Sequence, residues 1–164
     1  MTHMFPTMVS DPGDRNRRFS GDVGPTWPRS LRIGYGLLLA AAVLMLVIGF
    51  AQLAVGAPEN FDPNSGSKFM YNVRMVAIGD IIFAIALTFA AAYLPKGSKK
   101  ARRWAGAIIG LASFLNLLGF FLGVAGWASF VVVIVMVMAL FFIFRPDANA
   151  FVDKQSGDLW QGLK

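Results

Sequence analysis

Residues 95–103 read Pro-Lys-Gly-Ser-Lys-Lys-Ala-Arg-Arg, and they set Lys96, Lys99, Lys100, Arg102 and Arg103 between two long apolar runs. Lys and Arg clustered this close to hydrophobic spans stay on the cytoplasmic face during insertion, so this loop fixes the side of every other segment. The five residues are topology anchors. Reading outward from them gives an all-α membrane protein with four transmembrane helices, both termini cytoplasmic, and a short disordered N-terminal tail.

Composition agrees. The 164 residues are 56% hydrophobic and 15% charged, with a mean hydropathy of +0.59, outside the usual range of a soluble domain. The formal charge of +6 comes from basic residues that flank apolar spans, which suits orientation and anionic lipid rather than nucleic acid. There is no Cys, which excludes disulfides, thiolate catalysis and iron–sulfur clusters within this chain. The one His is His3, in the tail, so paired-imidazole haem ligation inside the membrane needs another chain.

Residues 1–30 mix Pro, Gly, Asp, Arg and Ser and read as a cytoplasmic tail too poor in apolar residues to fold alone, with Trp27 at the headgroup layer. The transmembrane domain is expected at 31–144. Its first span, 31–55, is long enough to cross a hydrocarbon core of about 30 Å. Val55-Gly56-Ala57 mimics a signal-peptidase site, but the apolar run is too long and Pro58 would follow the cut, so no cleavage is expected. Residues 56–73 are rich in turn formers and read as an extracytoplasmic loop. In it Glu59, Asp62, Asn60 and Asn64 lack any EF-hand spacing, so no metal site is assigned. The remaining spans fall at 75–94, 104–124 and 127–144, the last two joined by so tight a turn that they must be antiparallel neighbours. Arg145-Pro146 ends the fourth helix, and 145–164 reads as a polar cytoplasmic C-terminal tail in which Trp160 and Leu163 stand isolated. In this arrangement 13 of the 15 Lys and Arg lie inside, only Lys68 and Arg74 falling outside. That bias is the positive-inside signature of a multi-pass protein of the plasma (inner) membrane.

Inside the spans, one ionisable residue stands out. Asp80 lies about six residues, or roughly 8–9 Å, below Arg74, where a carboxylate is costly and should face protein. Ala77, Ala84, Thr88 and Ala91 share its helical face. On span three Ala112, Asn116, Gly119 and Gly123 form a matching stripe, and Asn116 falls near the depth of Asp80, so a hydrogen bond between the two is expected. The pair reads either as a lock on helix packing or as a proton site. Gly106/Gly110 and Gly119/Gly123 are small-xxx-small pairs that permit close helix approach. Span four offers bulky Val, Ile, Met and Phe over Val131–Met138 and Phe141–Phe144, and reads as a docking surface for a larger partner.

No nucleophile–base pair, HExxH, phosphate-binding Gly loop or acidic cluster at a helix end is present, so no catalysis is expected. No cofactor is expected to bind this chain alone, and the expected ligands are lipids, anionic ones included. A small proton-coupled transporter acting as a homo-oligomer through Asp80 is the alternative. Known exporters of that size carry their essential acid in the first span, whereas Asp80 is in the second. Thr26-Trp27-Pro28-Arg29-Ser30-Leu31, entering span one, and Phe144-Arg145-Pro146-Asp147-Ala148-Asn149-Ala150-Phe151, leaving span four, resemble the borders of small four-span plasma-membrane proteins of mycolate-forming actinobacteria. Some proteins of that kind are accessory subunits of large assemblies, including the cytochrome bcc–oxidase respiratory supercomplex. The resemblance therefore implies a non-catalytic accessory or assembly subunit of a larger membrane complex. It assigns no functional residue.

Overall fold

A computed structural model describes residues 26–56 and 62–161, without the side chains of 63 and 156–161. The Arg15, Arg17 and Arg18 cluster, His3, Glu59, Asn60, Leu163, Lys164 and the side chain of Trp160 therefore lie outside the described residues. Five helices follow one another: α1 Arg29–Ala54, α2 Pro63–Tyr93, α3 Lys99–Phe121, α4 Trp127–Ile143 and α5 Pro146–Gln161, with a 3₁₀ turn at Leu94–Lys96. No strand occurs among the described residues.

The first four helices form an antiparallel bundle in which α1 packs beside α2 and α4, and α3 beside the same two. Close approaches fix the pairings. A Cβ on Gly34 would meet Ile143 at 2.8 Å, one on Gly49 the Ala77 carbonyl oxygen at 2.9 Å, and one on Gly79 Leu115 at 2.3 Å. Glycine at these three points lets the backbones come together where any side chain would hold them apart. The bundle interior is filled by Leu38, Met45, Ala84, Leu87, Ile109, Met136 and their neighbours. The outward faces are equally apolar, with Val43, Val47, Phe89, Phe114 and Phe141 among the exposed side chains. An apolar exterior around an apolar core is what a helix surrounded by lipid requires, and it leaves little hydrophobic asymmetry to drive association.

By length and composition α1, α2 and α3 can each cross a membrane, and a fourth span is formed if α4 and the bent α5 are taken together. Helix α4 alone has 17 residues, about 26 Å at 1.5 Å per residue, slightly short of a hydrocarbon core of about 30 Å.

Three sequence expectations change. Of the stretch read as a loop at 95–103, residues 99–103 form the start of α3, with Ser98 as its N-cap accepting from the Ala101 N–H at 3.2 Å. Residues 63–73, read as loop, belong to α2, which runs for 31 residues. Asp62 is its N-cap, the carboxylate accepting from the Ser65 N–H at 3.2 Å and from the Ser65 hydroxyl at 3.2 Å, and Pro63 occupies the first turn. Turn formers and helix-start signals use the same residue types, and here capping decides. Likewise the C-terminal segment is not merely a polar tail. Pro146 starts α5, which turns by 60° from α4. Ala148, Phe151 and Val152, spaced three and four apart, bury themselves against Leu31 with Trp27 alongside. Helical spacing gave this short stretch one apolar stripe, and the bundle's inner end supplied the surface to cover it.

Candidate functional site

Asp80 and Asn116 meet. The Asn116 amide donates to Asp80 Oδ1 at 2.6 Å and also to the Ala112 carbonyl of its own helix at 3.1 Å. Both residues are sealed from the surface, at 0% and 1% exposure. They are brought together because Gly79, next to Asp80, lets α2 close on Leu115 of α3, while Gly119, one turn beyond Asn116, takes Val76 at 3.2 Å from its would-be Cβ. Ala77, Ala84, Ala91 and Ala112 on the expected stripe are buried as well. Thr88 is not on the packed face: it is exposed and returns its hydroxyl to the Ala84 carbonyl at 2.9 Å, while Leu87 fills the core instead.

The second oxygens are the chemically distinctive part. Asp80 Oδ2 and Asn116 Oδ1 are buried without a hydrogen-bond partner among the described residues, and so is the hydroxyl of Ser129, fully buried near the start of α4. Unsatisfied buried acceptors are expensive, more so in a hydrocarbon setting where no solvent compensates. A proton or a small donor brought to Asp80 Oδ2 would satisfy this corner of the bundle, whereas the single hydrogen bond already made is enough to tie α2 to α3. Sequence reading missed Ser129, because one Ser in an apolar helix carries no positional signal until its face is known.

The four expected packing glycines divide. Gly119 packs as described, and Gly106 faces the Phe144 ring, 3.5 Å from its would-be Cβ. Gly110 has nothing within 4 Å and packs against no helix; it lies on the outward side of α3. Gly123 has φ +70 and open space around it. Its role is to end α3: the Val124 and Ala125 N–H groups both donate to the Gly119 carbonyl at 3.0 Å, the left-handed helix stop that glycine adopts most easily. The small-xxx-small spacing therefore found only one member of each pair, since spacing does not say which face meets a neighbour. Gly34, Gly49 and Gly79 make the close approaches instead.

At the end of the bundle where α5 packs, two of the anchor residues hold it. Lys99 pairs with Asp153 at 3.0 Å, Arg102 donates to the Asn149 side chain and stands 5.2 Å from the centroid of the Phe144 ring, and Lys96 lies over Tyr93. Lys100 and Arg103 flank the exposed Trp104. On the other side the Ser30 hydroxyl donates to Asp147 at 2.6 Å, and Gly97, at φ +66, leaves room for Gln155. Of the five residues read only as topology anchors, Lys99 and Arg102 thus also fasten the C-terminal helix. Among the described residues no three His, Cys, Asp or Glu come together as a metal site would require.

Fold and site define a class: an all-helical bundle with three or four membrane-compatible helices, in which a buried carboxylate–amide pair bridges α2 and α3. Comparison with protein-family models, with curated proteins and with solved structures finds no match for the chain.

Proposed function

We propose that this chain is a four-span protein of the plasma membrane with both termini cytoplasmic, and that it serves as a non-catalytic accessory or assembly subunit of a larger membrane complex. The carrying observation is how its polar and apolar resources are used. Asp80 and Asn116 are spent on holding α2 to α3, while α4 buries Val132, Val133, Met136, Ala139 and Ile143 on one side and leaves Val131, Ile134 and Met138 exposed on another. Within the run Val131–Met138 expected as a docking surface, Val132, Val133 and Met136 belong to the core. The exposed strip is a surface that a partner helix can cover without disturbing the bundle. The resemblance of the Thr26–Leu31 and Phe144–Phe151 borders to small actinobacterial membrane proteins makes a respiratory assembly the partner to look for first.

Purification of the tagged protein in mild detergent, followed by identification of what accompanies it, tests this reading. A stoichiometric larger complex supports it; a pure homo-oligomer refutes it. Photoreactive residues at Ile134 and Met138 then locate the contact.

A second reading rests on the two unpartnered oxygens of Asp80 and Asn116: a homo-oligomeric transporter in which Asp80 carries the coupling proton. It requires that Asp80→Asn abolish transport by a folded protein.

A further inference from the structure

Between α3 and α4, at the inner end of the bundle, runs an open groove of about 810 Å³ lined by Gly106, Val137, Leu140, Phe141, Phe144 and Arg145. We infer that this groove is a site for one anionic phospholipid of the cytoplasmic leaflet, with an acyl chain lying over Gly106 and a phosphate at Arg145. The inference goes beyond the accessory role, needing the bundle to sit in a membrane but no protein partner.

Three observations carry it. The first is charge placement. From Val137 to Arg145 is eight residues, about 12 Å along the helix, so the groove starts among side chains at hydrocarbon depth and finishes at a cation at headgroup depth. Arg145 has no ion-pair partner among the described residues; its guanidinium lies 6.0 Å over the Phe142 ring and its side chain is exposed. The neighbouring acids are already engaged, Asp147 by Ser30 and Asp153 by Lys99. A basic residue left unpaired at the cytoplasmic end of an apolar channel matches a phosphodiester, which takes arginine in a directional, charge-assisted way.

The second is shape. Glycine at 106 keeps the floor of the groove low: a Cβ there would only touch the Phe144 ring at 3.5 Å and Leu140 at 3.7 Å, but a longer side chain would lie in the channel. Arg102, held by Asn149 and by the Phe144 ring, does not line the groove, which leaves Arg145 as the cation among its lining residues.

The third concerns the other occupants. A second copy docked on this face about a two-fold axis would set each Arg145 and Arg102 against its counterpart, a like-charge contact that opposes association. A spanning partner helix would run well past the two turns of α4 that line the groove, and would bury Arg145 while this chain's nearby acids, Asp147 and Asp153, are engaged by Ser30 and Lys99. A lipid avoids both problems.

Native mass spectrometry of the full chain in detergent, titrated with phosphatidylglycerol or with phosphatidylcholine of the same acyl chains, tests the site. One phosphatidylglycerol should be retained per chain, about fivefold more tightly than phosphatidylcholine, the increment expected of one basic residue at a charged membrane surface. Arg145→Gln should remove that preference. Gly106→Leu should lower retention of both lipids, and Gly110→Ala, on the open side of α3, should leave both unchanged. Should Gly106→Leu fail to fold, a photoreactive residue at Phe141 supplies the same answer in native membranes by forming a phospholipid adduct. Equal retention of the two lipids, an unchanged preference in Arg145→Gln, or polypeptide capture at Phe141 overturns the site. The partner reading stands or falls on what accompanies the tagged chain on purification, whereas this site stands or falls on lipid retention by the purified chain alone, so the two readings fail independently.

Discussion

Replacing Asp80 separates a structural clamp from a charge-dependent site. In the native bundle Asp80 Oδ1 accepts the Asn116 amide while Oδ2 and Asn116 Oδ1 have no partner. Asp80→Asn keeps an acceptor for the existing bond and adds an N–H where there are two unsatisfied acceptors, so stability should stay the same or rise by up to about 1 kcal/mol, the range of an interhelical hydrogen bond in a membrane bundle. Asp80→Leu removes the bond, worth about 0.6–1.7 kcal/mol. It also puts two bulkier methyl groups where the carboxylate oxygens sat, in a fully buried position next to Gly79, where overpacking costs about 1–3 kcal/mol. The two together predict a loss of about 2–4 kcal/mol. Asn116 keeps its bond to the Ala112 carbonyl, which holds the loss toward the lower half of that range. Reversible unfolding in mixed micelles by increasing SDS, followed by far-UV circular dichroism, measures both variants against the native chain. A loss in Asp80→Asn equal to that in Asp80→Leu would refute the clamp, because shape and hydrogen bonding are kept in the first and the carboxyl group alone is gone.

The remaining predictions concern packing and topology. Gly49→Ala should cost about 1–3 kcal/mol, since its Cβ would press on the Ala77 carbonyl at 2.9 Å, whereas Gly110→Ala should change stability by less than about 0.5 kcal/mol; the same SDS unfolding assay compares them. Because the chain has no Cys, a single Cys placed at the buried Val152 should resist a water-soluble maleimide in the native background. It should label rapidly once Leu31→Ala has hollowed the surface on which α5 rests. Lys99→Ala should shift stability by less than about 1 kcal/mol despite losing a 3.0 Å ion pair, because both partners are largely exposed. For the orientation, Cys at Lys154 and at Ser65 should be labelled from opposite sides of sealed membrane vesicles; labelling from one side would overturn the four-span arrangement.

What the sequence determined was the part written in composition and charge. Long apolar runs specify helices, and Pro95, Gly97 and Ser98 mark the break between α2 and α3 while the basic residues from Lys99 on begin α3, because a hydrocarbon environment tolerates neither unpaired backbone groups nor unpaired charges. The near match of α1, α3 and α4 to the expected spans follows from that single constraint. The meeting of Asp80 and Asn116 was legible for a related reason: two strongly polar side chains at similar depth on adjacent antiparallel helices have few other partners.

Everything that depends on which face of a helix meets which neighbour waited for the tertiary structure. In a soluble helix the polar face marks the outside; here Val131 is exposed and Val132 buried with nothing in the residue types to tell them apart. Hence the sequence marked Gly106, Gly110, Gly119 and Gly123 alike, while packing used Gly106 and Gly119, turned the chain at Gly123, left Gly110 open, and called on Gly34, Gly49 and Gly79 for its closest contacts. Helix α5 was decided in the same way. Its stripe of Ala148, Phe151 and Val152 is too short to hold a helix by itself, and it became structure because the inner end of α1 presents Leu31 and Ser30 at the place where Pro146 turns the chain.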